Sequence, residues 1–528
     1  MHCRRRHGLR HFTQGQEPPH ARAFGGLRES RNAGSCADSC QILAGAAFQG
    51  GSCVTATDAT TPLTPDLCVI GAGAAGLSVA SIAASLGASV VLIESNRMGG
   101  ECLNVGCVPS KALIAAARWA HERGRADGDG AAIDFSRVQQ HVASVIAAIA
   151  PMDSPARYGA MGVQVIQAEA HFTDAVTVSA GGRVIKARRF VLATGSRPAI
   201  PPIPGLDQVP YLTSETVFEL TERPRHLMVI GGGAVGVELA QAYRRLGAAV
   251  TVIEAGPRIV AQEDPEMVSV IERALCREGV TLRKGAAIER IELLSSGNIA
   301  LRLWNGDIVE GSHLLVAAGR EPRIEGLEPA GIKADASGIL VNRRLKTTNR
   351  KVYAIGDCAG AIATGGRFTH VANHHAGLVI RNALFRLPAR LGKTPVPRVV
   401  HTAPELATVG LSEAEARAKH GRMRILRWPL SNNDRARAEG ATEGHVKAIV
   451  TRRGKILGCS IVSAQAGELI MPWVLAMARG LKVSDLAGLV YPYPTFSEAT
   501  KGAAVEFLKP TAQKPWLRWL IGLVRHLG

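Results

Sequence analysis

Short apolar runs that end in glycine turns recur along the chain, and each predicts a buried strand followed by a helix. The run Leu67–Ile70 is the first, and the small residues after it predict a helix over 77–86. A second strand, over 89–93, follows and ends in Glu94. Strands that alternate with helices in this way are typical of a doubly wound α/β fold built on a parallel sheet.

The turn after each of two such strands has the spacing Gly-x-Gly-x-x-Gly. The glycines are Gly71, Gly73 and Gly76 in the first unit, and Gly231, Gly233 and Gly236 in the second unit, which follows a strand over 227–230. Glycines at this spacing permit a tight turn and let backbone N–H groups approach a pyrophosphate at the start of a helix. Because the whole unit occurs twice, the sequence predicts two dinucleotide sites.

An acidic residue ends the second strand of each unit, Glu94 in the first and Glu254 in the second. Each carboxylate is placed to accept hydrogen bonds from ribose hydroxyls. At the second site an acid favours a free 2′-hydroxyl over a 2′-phosphate, and so favours NADH over NADPH. Arg258 lies a few residues later, however, and a nearby arginine can accommodate the phosphate.

Cys102 and Cys107 lie five positions apart between the two units. A disulfide between them would close a very small ring, which suits redox cycling better than stabilising a fold with a large core. A helix that begins near Cys107 would place its positive dipole end beside that sulfur and favour the thiolate. Cys102 would lie farther out on the loop and attack an incoming substrate. The alternative interpretation is a pair of buried structural cysteines.

The segment 99–111, which contains both cysteines, resembles the redox motif of the class I pyridine nucleotide–disulfide oxidoreductases. The resemblance extends from about residue 65 to about residue 508, in the order of the family's motifs. It implies a homodimeric flavoprotein in which NAD(P)H reduces FAD and reduced FAD opens the Cys102–Cys107 disulfide. Cys107 is then the thiolate beside the flavin, and Cys102 reacts with the acceptor.

The resemblance also assigns residues outside the cysteine segment. Thr194 and Gly195 resemble the point where the chain leaves the first FAD segment, and Gly319 resembles the end of the NAD domain. Asp357 matches the aspartate that holds the ribityl chain. Lys111 is implied to lie near the flavin and to pair with Glu238, since a buried lysine needs an opposite charge. These residues complete the set predicted to bind the cofactors. We expect no metal-binding residues.

The resemblance divides the predicted fold into two Rossmann-like domains, for FAD and NAD(P), and a C-terminal α+β dimerisation domain. The expected boundaries are 1–63 for a leader, 64–210 for the first segment of the FAD domain, 211–335 for the NAD(P) domain, 336–395 for the second segment of the FAD domain, 396–510 for the dimerisation domain and 511–528 for a tail helix.

The chain departs from the family near its C-terminus. Disulfide-reducing members carry a His-Pro-Thr-x-x-Glu motif there, and this sequence places Tyr493 at the histidine position and Glu498 at the glutamate. A phenol titrates near ~10 rather than near ~6.5, so it exchanges protons with a thiol poorly at neutral pH. Mercuric reductases carry tyrosine there, which suits a soft metal ion that needs thiolates more than proton transfer. A tyrosine that only packs at a dimer interface is the alternative.

Three functions therefore stay open. The first is an FAD-dependent NAD(P)H oxidoreductase that resembles mercuric reductase and acts on a small disulfide or a soft metal ion. The second is a dihydrolipoyl dehydrogenase, and the third is a membrane-associated flavin-binding partner protein with little turnover of its own. His401, His370, His374 and His375 are the nearby candidates to replace the missing imidazole.

The composition limits the remaining possibilities. A net charge of +18 attracts polyanions, but the arginines are scattered, without a basic stripe interleaved with aromatic residues, so we expect no nucleic-acid binding. Ten cysteines in 528 residues are too sparse for a disulfide framework and favour a reducing compartment. Since no run of about eighteen uncharged apolar residues occurs, we expect no transmembrane span and a cytoplasmic location.

The two ends of the chain differ from the body. Residues 1–63 have three consecutive arginines, four cysteines and no apolar periodicity, which predicts a disordered leader. Translation from near Val54 would leave most of it out of the protein, and a mitochondrial-type leader is the alternative. At the other end, apolar residues at helical spacing over 515–527 predict a basic amphipathic helix. It either packs on its own subunit or lies on a membrane surface.

Overall fold

The computed structural model describes residues 61–127, 133–360, 366–392 and 394–526. The predicted leader therefore lies outside the described residues except for 61–63, as do the proposed start near Val54 and the last residue of the tail pattern, Leu527. Leu63 is the first residue with a regular partner, because it forms a parallel bridge to Ile185.

The N-terminal region of the described chain forms parallel strands with helices between them. Its elements are β1 (Leu67–Ile70), α1 (Ala74–Ser85), β2 (Val90–Glu94), α2 (Gly100–Asn104), α3 (Cys107–Asp127), α4 (Phe135–Ile149), α5 (Pro155–Ala160), β3 (Val163–Gln167), β4 (Ala170–Asp174), β5 (Thr177–Ala180), β6 (Arg183–Ile185), β7 (Arg189–Leu192) and β8 (Ser196–Pro198). Strands β4, β5 and β6 form a separate antiparallel sheet. Helix α1 begins three residues before the predicted start, because its first turn consists of small residues without an apolar pattern.

The next region repeats the same architecture. Its elements are β9 (Leu212–Thr213), β10 (His226–Ile230), α6 (Ala234–Arg245), β11 (Ala249–Glu254), α7 (Pro265–Arg277), β12 (Val280–Lys284), β13 (Ile288–Leu293), β14 (Ile299–Leu303), β15 (Ile308–Gly311), β16 (His313–Val316) and β17 (Arg320–Pro322). The parallel sheet has the order β12-β11-β10-β16-β9, and β13, β14 and β15 form an antiparallel sheet beside it.

The chain then returns to the first sheet. The returning elements are β18 (Ala334–Asp335), β19 (Gly338–Ile339), β20 (Val352–Ala354) and α8 (Thr369–Ala383). Strand β20 pairs in parallel with β7, which gives the first sheet the order β20-β7-β1-β2-β3. The second parallel sheet is thus inserted into the sequence of the first.

The C-terminal region contains an antiparallel sheet. Its elements are β21 (Pro397–Val400), β22 (Glu405–Gly410), α9 (Glu413–His420), β23 (Met423–Pro429), α10 (Asp434–Ala438), β24 (His445–Thr451), β25 (Ile456–Ser463), α11 (Ala466–Leu469), α12 (Met471–Arg479), α13 (Val483–Ala487), α14 (Glu498–Glu506), α15 (Lys509–Ala512) and α16 (Pro515–Val524). The sheet order is β21-β22-β25-β24-β23. The α/β fold with an α+β C-terminal region, predicted from the sequence, is confirmed.

Packing between α3 and α6 positions the site. Leu113 and Ala117 on α3 are fully buried in the same apolar cluster as Val237 and Ala240 on α6. The helix that starts at the cysteine pair is therefore fixed against the helix that follows the second glycine turn. This contact brings side chains from two distant stretches of the chain together beside the sulfurs.

Candidate active site

Cys102 and Cys107 lie on two consecutive helices with their sulfur atoms 3.3 Å apart. Cys102 falls within α2, a single short helix, rather than on the open loop that the sequence predicted. Cys107 is the first residue of α3, as its role at a helix start requires. The side chain of Asn104 holds the turn between them by donating to Met98 O at 3.1 Å and to Gly100 O at 2.8 Å.

Thr369 contacts both sulfurs, although sequence reasoning did not identify it. Its hydroxyl oxygen lies 2.7 Å from Cys102 Sγ and 3.7 Å from Cys107 Sγ. It is the first residue of α8, the helix that follows the Asp357 segment. No local pattern connects this threonine with the two cysteines, which lie 267 and 262 residues away in the sequence.

The two thiols have opposite acidities. The hydrogen bond from Cys102 lowers the pKa of Cys107 to about 6, with help from Thr369 and the charge of Lys111, and these effects outweigh burial. The pKa of Cys102 is raised by its bond to Cys107 and by burial. The geometry thus favours a thiolate at Cys107 and a thiol at Cys102, the order that the helix dipole predicts.

Lys111 and Glu238, which the resemblance pairs, form an ion pair of 2.7 Å between α3 and α6. The side chain of Glu238 is 7% exposed and that of Lys111 is 40% exposed. The other oxygen of Glu238 accepts from the backbone N–H of His401 at 2.8 Å. Glu238 therefore connects the cysteine helix with the start of the C-terminal region.

A polar chain connects the cysteine segment with Asp357. The carboxylate of Glu101 contacts the guanidinium of Arg320, whose Nε donates to Ser196 Oγ at 2.9 Å. The Ser196 hydroxyl donates to Asp357 Oδ2 at 2.8 Å. Burial raises the pKa of Glu101 to about 7 even though Arg320 acts to lower it. Neither Glu101 nor Arg320 was predicted from the sequence as a site residue.

The two glycine turns have nearly the same geometry. A Cβ on Gly71 would lie 2.3 Å from a backbone oxygen, and a Cβ on Gly231 would lie 2.5 Å from one, so only glycine fits there. The middle glycines are less crowded: a Cβ on Gly73 would make only an ordinary contact at 3.8 Å, and none lies within 4 Å for Gly233. An accessible backbone at a helix start fits the pyrophosphate of FAD at the first turn and of NAD(P)H at the second.

The acidic residues that end β2 and β11 are anchored to these turns. Glu94 Oε2 accepts from Ala72 N at 2.6 Å, and Glu254 Oε2 accepts from Gly232 N at 2.7 Å. Each carboxylate is thereby held beside its glycine turn, where a ribose of a bound dinucleotide would lie.

Thr194, Gly195 and Gly319 lie where the chain passes between the two parallel sheets. Thr194 Oγ1 donates to Arg323 O at 2.9 Å, and Arg323 N donates to Gly195 O at 3.0 Å. Ala199 N donates to Gly319 O at 3.0 Å. Thr194 and Gly195 thus lie just before β8 and Gly319 just before β17, the two strands of one antiparallel pair.

Tyr493 and Glu498 lie in the C-terminal region and do not join the cysteine pair within one chain. Tyr493 is 70% exposed, and its hydroxyl donates to Asp434 Oδ2 at 3.1 Å, a bond that raises the pKa of the phenol. Glu498 begins α14 and accepts from Thr495 N at 3.4 Å. Across the described residues, neither side chain has a hydrogen bond to Cys102 or Cys107.

Three of the four candidate histidines have partners other than the cysteines. His401 Nδ1 lies 3.8 Å from Glu405 Oε1. His370 Nε2 lies 3.0 Å from Pro397 O, and its ring stacks on Phe368. Gly356 N donates to His375 Nδ1 at 3.3 Å. These bonds direct the rings of His370 and His375 toward the backbone. In the described ranges, no cluster of three or more His, Cys, Asp and Glu side chains could hold a metal ion.

Comparison with known proteins identifies relatives along most of the chain. Residues 65–376 match the family described as pyridine nucleotide-disulphide oxidoreductase, and residues 396–504 match the dimerisation domain of that family. Mercuric reductase of Lysinibacillus sphaericus is 37% identical over 460 residues, which are 84% of this chain and 83% of the relative. Dihydrolipoyl dehydrogenase of Thermus scotoductus is 36% identical over 466 residues, 84% of this chain and 97% of the relative.

Solved structures with a similar fold cover the same large part of the chain as the sequence relatives do. LpdA from Mycobacterium tuberculosis superimposes with a TM-score of 0.77 at 29% identity, covering 84% of this chain and 99% of the other. The HOCl-induced flavoprotein disulfide reductase RclA from Escherichia coli gives a TM-score of 0.76 at 28% identity, covering 83% of this chain and 99% of the other.

No helix in the described ranges has both the length and the apolar character that crossing a membrane requires.

Proposed function

Because the chain belongs to the pyridine nucleotide-disulphide oxidoreductase family, we propose that Cys102 and Cys107 are its redox-active pair. The chain is an FAD-dependent NAD(P)H oxidoreductase of the disulfide reductase family, related to mercuric reductases. The observation that carries the proposal is the 3.3 Å contact of the two sulfurs at the start of α3. The proposed domain boundaries remain those expected from the sequence.

When bound, FAD carries an electron pair from the nicotinamide to the cysteine pair. Cys102 is the thiol of the reduced pair, so it first transfers its proton to the neighbouring Cys107 thiolate. Cys102 Sγ then attacks one sulfur of an acceptor disulfide and forms a mixed disulfide, and the first leaving thiolate takes that proton from Cys107. The thiolate of Cys107 then attacks Cys102 Sγ, forms the Cys102–Cys107 bond and releases the second thiol. The two electrons come from NAD(P)H, and the protons come from its hydride equivalent and from solvent.

The neighbouring groups prepare the thiols for this exchange. Lys111 stabilises the Cys107 thiolate electrostatically, and Glu238 holds Lys111 in place. Thr369 bonds to both sulfurs. FAD would be held by the residues Gly71, Gly73, Gly76, Glu94, Lys111, Thr194, Gly195 and Asp357. The nicotinamide dinucleotide would be held by Gly231, Gly233, Gly236, Glu254 and Gly319, with Glu254 favouring NADH.

The dimerisation domain indicates a homodimer. We infer that the partner's Tyr493 and the partner's Glu498 complete each acceptor site, because Tyr493 is exposed and bonded to Asp434 away from the cysteines of its own chain. A hydroxyl that donates to a carboxylate and has a raised pKa stays protonated at neutral pH. It would shape the acceptor site rather than exchange protons there.

The acceptor is a small disulfide or a soft metal ion. Mercuric reductases are among the relatives, at up to 37% identity, which supports the metal ion. Dihydrolipoyl dehydrogenase is the second candidate, supported by a relative at 36% identity. We expect either reaction to occur in the cytoplasm, where thiols stay reduced.

Anaerobic reduction of the purified holoprotein tests the proposal. NADH or NADPH is added, accessible thiols are alkylated, and Cys102 and Cys107 are located by peptide mass spectrometry. Both must become labelled only after reduction, and a disulfide acceptor added in excess over the nicotinamide before alkylation must prevent this labelling. Flavin bleaching without new label on either cysteine would reject the pair. Cys276, an exposed cysteine on α7, is the internal reference that labels in every sample.

A specific observation favours a second role for the tail. Helix α16 has no buried residue, and Trp516 and Trp519 are 56% and 69% exposed. Arg518 and Arg525 lie on the same short segment, and tryptophan with arginine suits a membrane interface. We propose peripheral contact with an anionic membrane through 515–527. Co-sedimentation with phosphatidylserine vesicles should be lost when the chain ends at Lys514, and equal binding of both chains would reject the contact.

A further inference from the structure

A cavity of about 410 Å³ leads to Cys102. Cys102 and Thr369 line this cavity together with Ser78 and Ser81 of α1. Because Cys102 is the thiol proposed to meet the acceptor, the cavity is the route by which a small molecule reaches it within one chain. The selectivity inferred from this cavity therefore rests on the proposed function.

The lining of this cavity contains neither lysine nor arginine. Asp153 is its one formally charged residue, and burial raises the pKa of that carboxyl. Arg157 is close enough to lower the pKa of Asp153, but it does not line the cavity, and its guanidinium donates to Met152 O. An anion that entered would therefore meet a carboxyl group and no lining cation.

The polar groups of the wall are neutral. Ser78 Oγ donates to Asn373 Oδ1 at 3.0 Å, which orients the amide of Asn373 and leaves its N–H groups without a partner among the described residues. The hydroxyl of Ser81 also lies on the cavity surface. Such groups can bond to a hydroxyl or an amide of a ligand, but without a lining cation they offset only part of the free energy lost when a carboxylate leaves water.

We propose that this cavity makes the enzyme selective for small uncharged disulfides and disfavours anionic ones. The overall charge of +18 attracts anions toward the surface at long range. At ionic strength near 0.15 M, however, such attraction is screened beyond about 8 Å, so the lining decides which molecule reaches Cys102. The partner's Tyr493 and the partner's Glu498, if they complete the site, bring no positive charge. The cavity thus selects uncharged disulfides in two ways: by its size, and because its lining has no cation to pair with an anionic disulfide.

The test compares two linear disulfides of similar size, hydroxyethyl disulfide and dithiodipropionate, as acceptors for the holoenzyme with NADH. Each kcat/KM is divided by the rate constant of the same compound with free dithiothreitol, which removes the intrinsic effect of charge on thiol attack. The normalised ratio should favour the uncharged disulfide by at least about tenfold, equivalent to about 1.4 kcal/mol. A ratio of one or below would overturn the inference.

Variants localise the effect to the cavity. Ser81→Arg adds a cation to the wall and should bring the ratio close to one by improving the anionic disulfide. Ser81→Gln adds similar length without charge and should keep the original ratio. Ser296→Arg adds the same charge at an exposed position in the turn between β13 and β14 and should also keep it. An equal change with Ser296→Arg would assign the effect to net charge and overturn the role of the cavity.

Failure of this inference differs from failure of the proposed function. If NADH reduces the cysteine pair but the enzyme turns over neither disulfide, the selectivity is wrong and the pair stands. If NADH does not expose Cys102 and Cys107 to alkylation, the pair itself is wrong, and any acceptor preference has another origin.

Discussion

The hydroxyl of Thr369 lies 2.7 Å from the sulfur of Cys102, across 267 residues of sequence. It is also within 3.7 Å of Cys107, so one side chain bonds to both members of the pair. A hydroxyl can donate to one sulfur and accept from the other, and it keeps this ability when the proton moves between them. The family's histidine position is Tyr493 here, so Thr369 is the proton-bearing side chain that the described structure places on the thiols.

Thr369→Val should raise the pKa of Cys107. The hydroxyl is one of the groups that hold this pKa at about 6. Removing it should shift the titration upward by up to about one unit, because a hydrogen bond to a charged group contributes about 1.5 kcal/mol. The rate of Cys107 alkylation against pH in the reduced protein measures the shift. Thr369→Ser keeps the hydroxyl and should keep the titration; an unchanged curve for the valine variant would exclude the role.

Lys111→Met and Glu238→Gln should move the pKa of Cys107 in opposite directions. The cation lowers this pKa and the carboxylate raises it, so loss of Lys111 shifts it upward and loss of the Glu238 charge shifts it downward. The same alkylation titration measures both. Lys186→Met, at an exposed lysine near β6, is the matched control and should leave the curve unchanged. If both variants shifted the pKa of Cys107 in the same direction, the Lys111–Glu238 pair would act by holding the local structure and not by its charges.

Short sequence patterns correctly predicted those strands and turns whose signals lie within a few consecutive residues. The strands β1 and β10 and the glycine turns after them were predicted because apolar runs and glycine spacing are contained within a few residues. The cysteine segment was predicted as redox-active for the same reason. The short helix α2 was missed, since five residues after Gly99 in a left-handed conformation provide no periodicity.

Contacts between residues that are far apart in the chain could not be predicted, because no short sequence pattern encodes them. Thr369 at the sulfurs, Arg320 at Glu101 and Lys447 at Asp264 join residues separated by 267, 219 and 183 positions. Only the family resemblance supplied a pair of this kind, Lys111 with Glu238. Physical reasoning from sequence therefore predicted the chemistry of the site but not the groups that tune it.

Glu101→Gln should change how stability depends on pH near neutrality. Burial raises the pKa of Glu101 from 4.5 to about 7 in the folded chain. A raised carboxyl pKa gives a stabilising contribution that is complete below 4.5 and is lost as the pH rises through about 7. Relative to the glutamine variant, the native protein should lose Tm between pH 5 and pH 8. Thermal denaturation of both proteins across this range measures the difference, and parallel curves would contradict the raised pKa.

Lys447→Met should strongly destabilise the contact between the second parallel sheet and the C-terminal region. Lys447 is 3% exposed, and its ammonium lies 2.8 Å from each of the carboxylates of Asp264, Glu266 and Glu413. Removing the cation leaves these carboxylates clustered, and breaking a buried pair in this way costs about 3–5 kcal/mol. Denaturant unfolding measures the loss. Lys455→Met, at an exposed lysine before β25, should cost far less, and equal losses would contradict the cluster.

Glu266 gives the same cluster a pH dependence opposite in sign to that of Glu101. Hydrogen bonds from Arg427 and Lys447 lower the pKa of Glu266 from 4.5 to about 2. A lowered carboxyl pKa gives a contribution that is complete above 4.5 and is lost as the pH falls through about 2. The native protein should therefore lose stability over this acidic range more steeply than Glu266→Gln. Urea unfolding at a series of pH values measures both slopes, with Glu289→Gln, an exposed residue on β13, as the control that follows the native curve. If Glu266→Gln also follows the native curve, Glu266 is not held ionised by Arg427 and Lys447, and the acid response comes from other carboxylates.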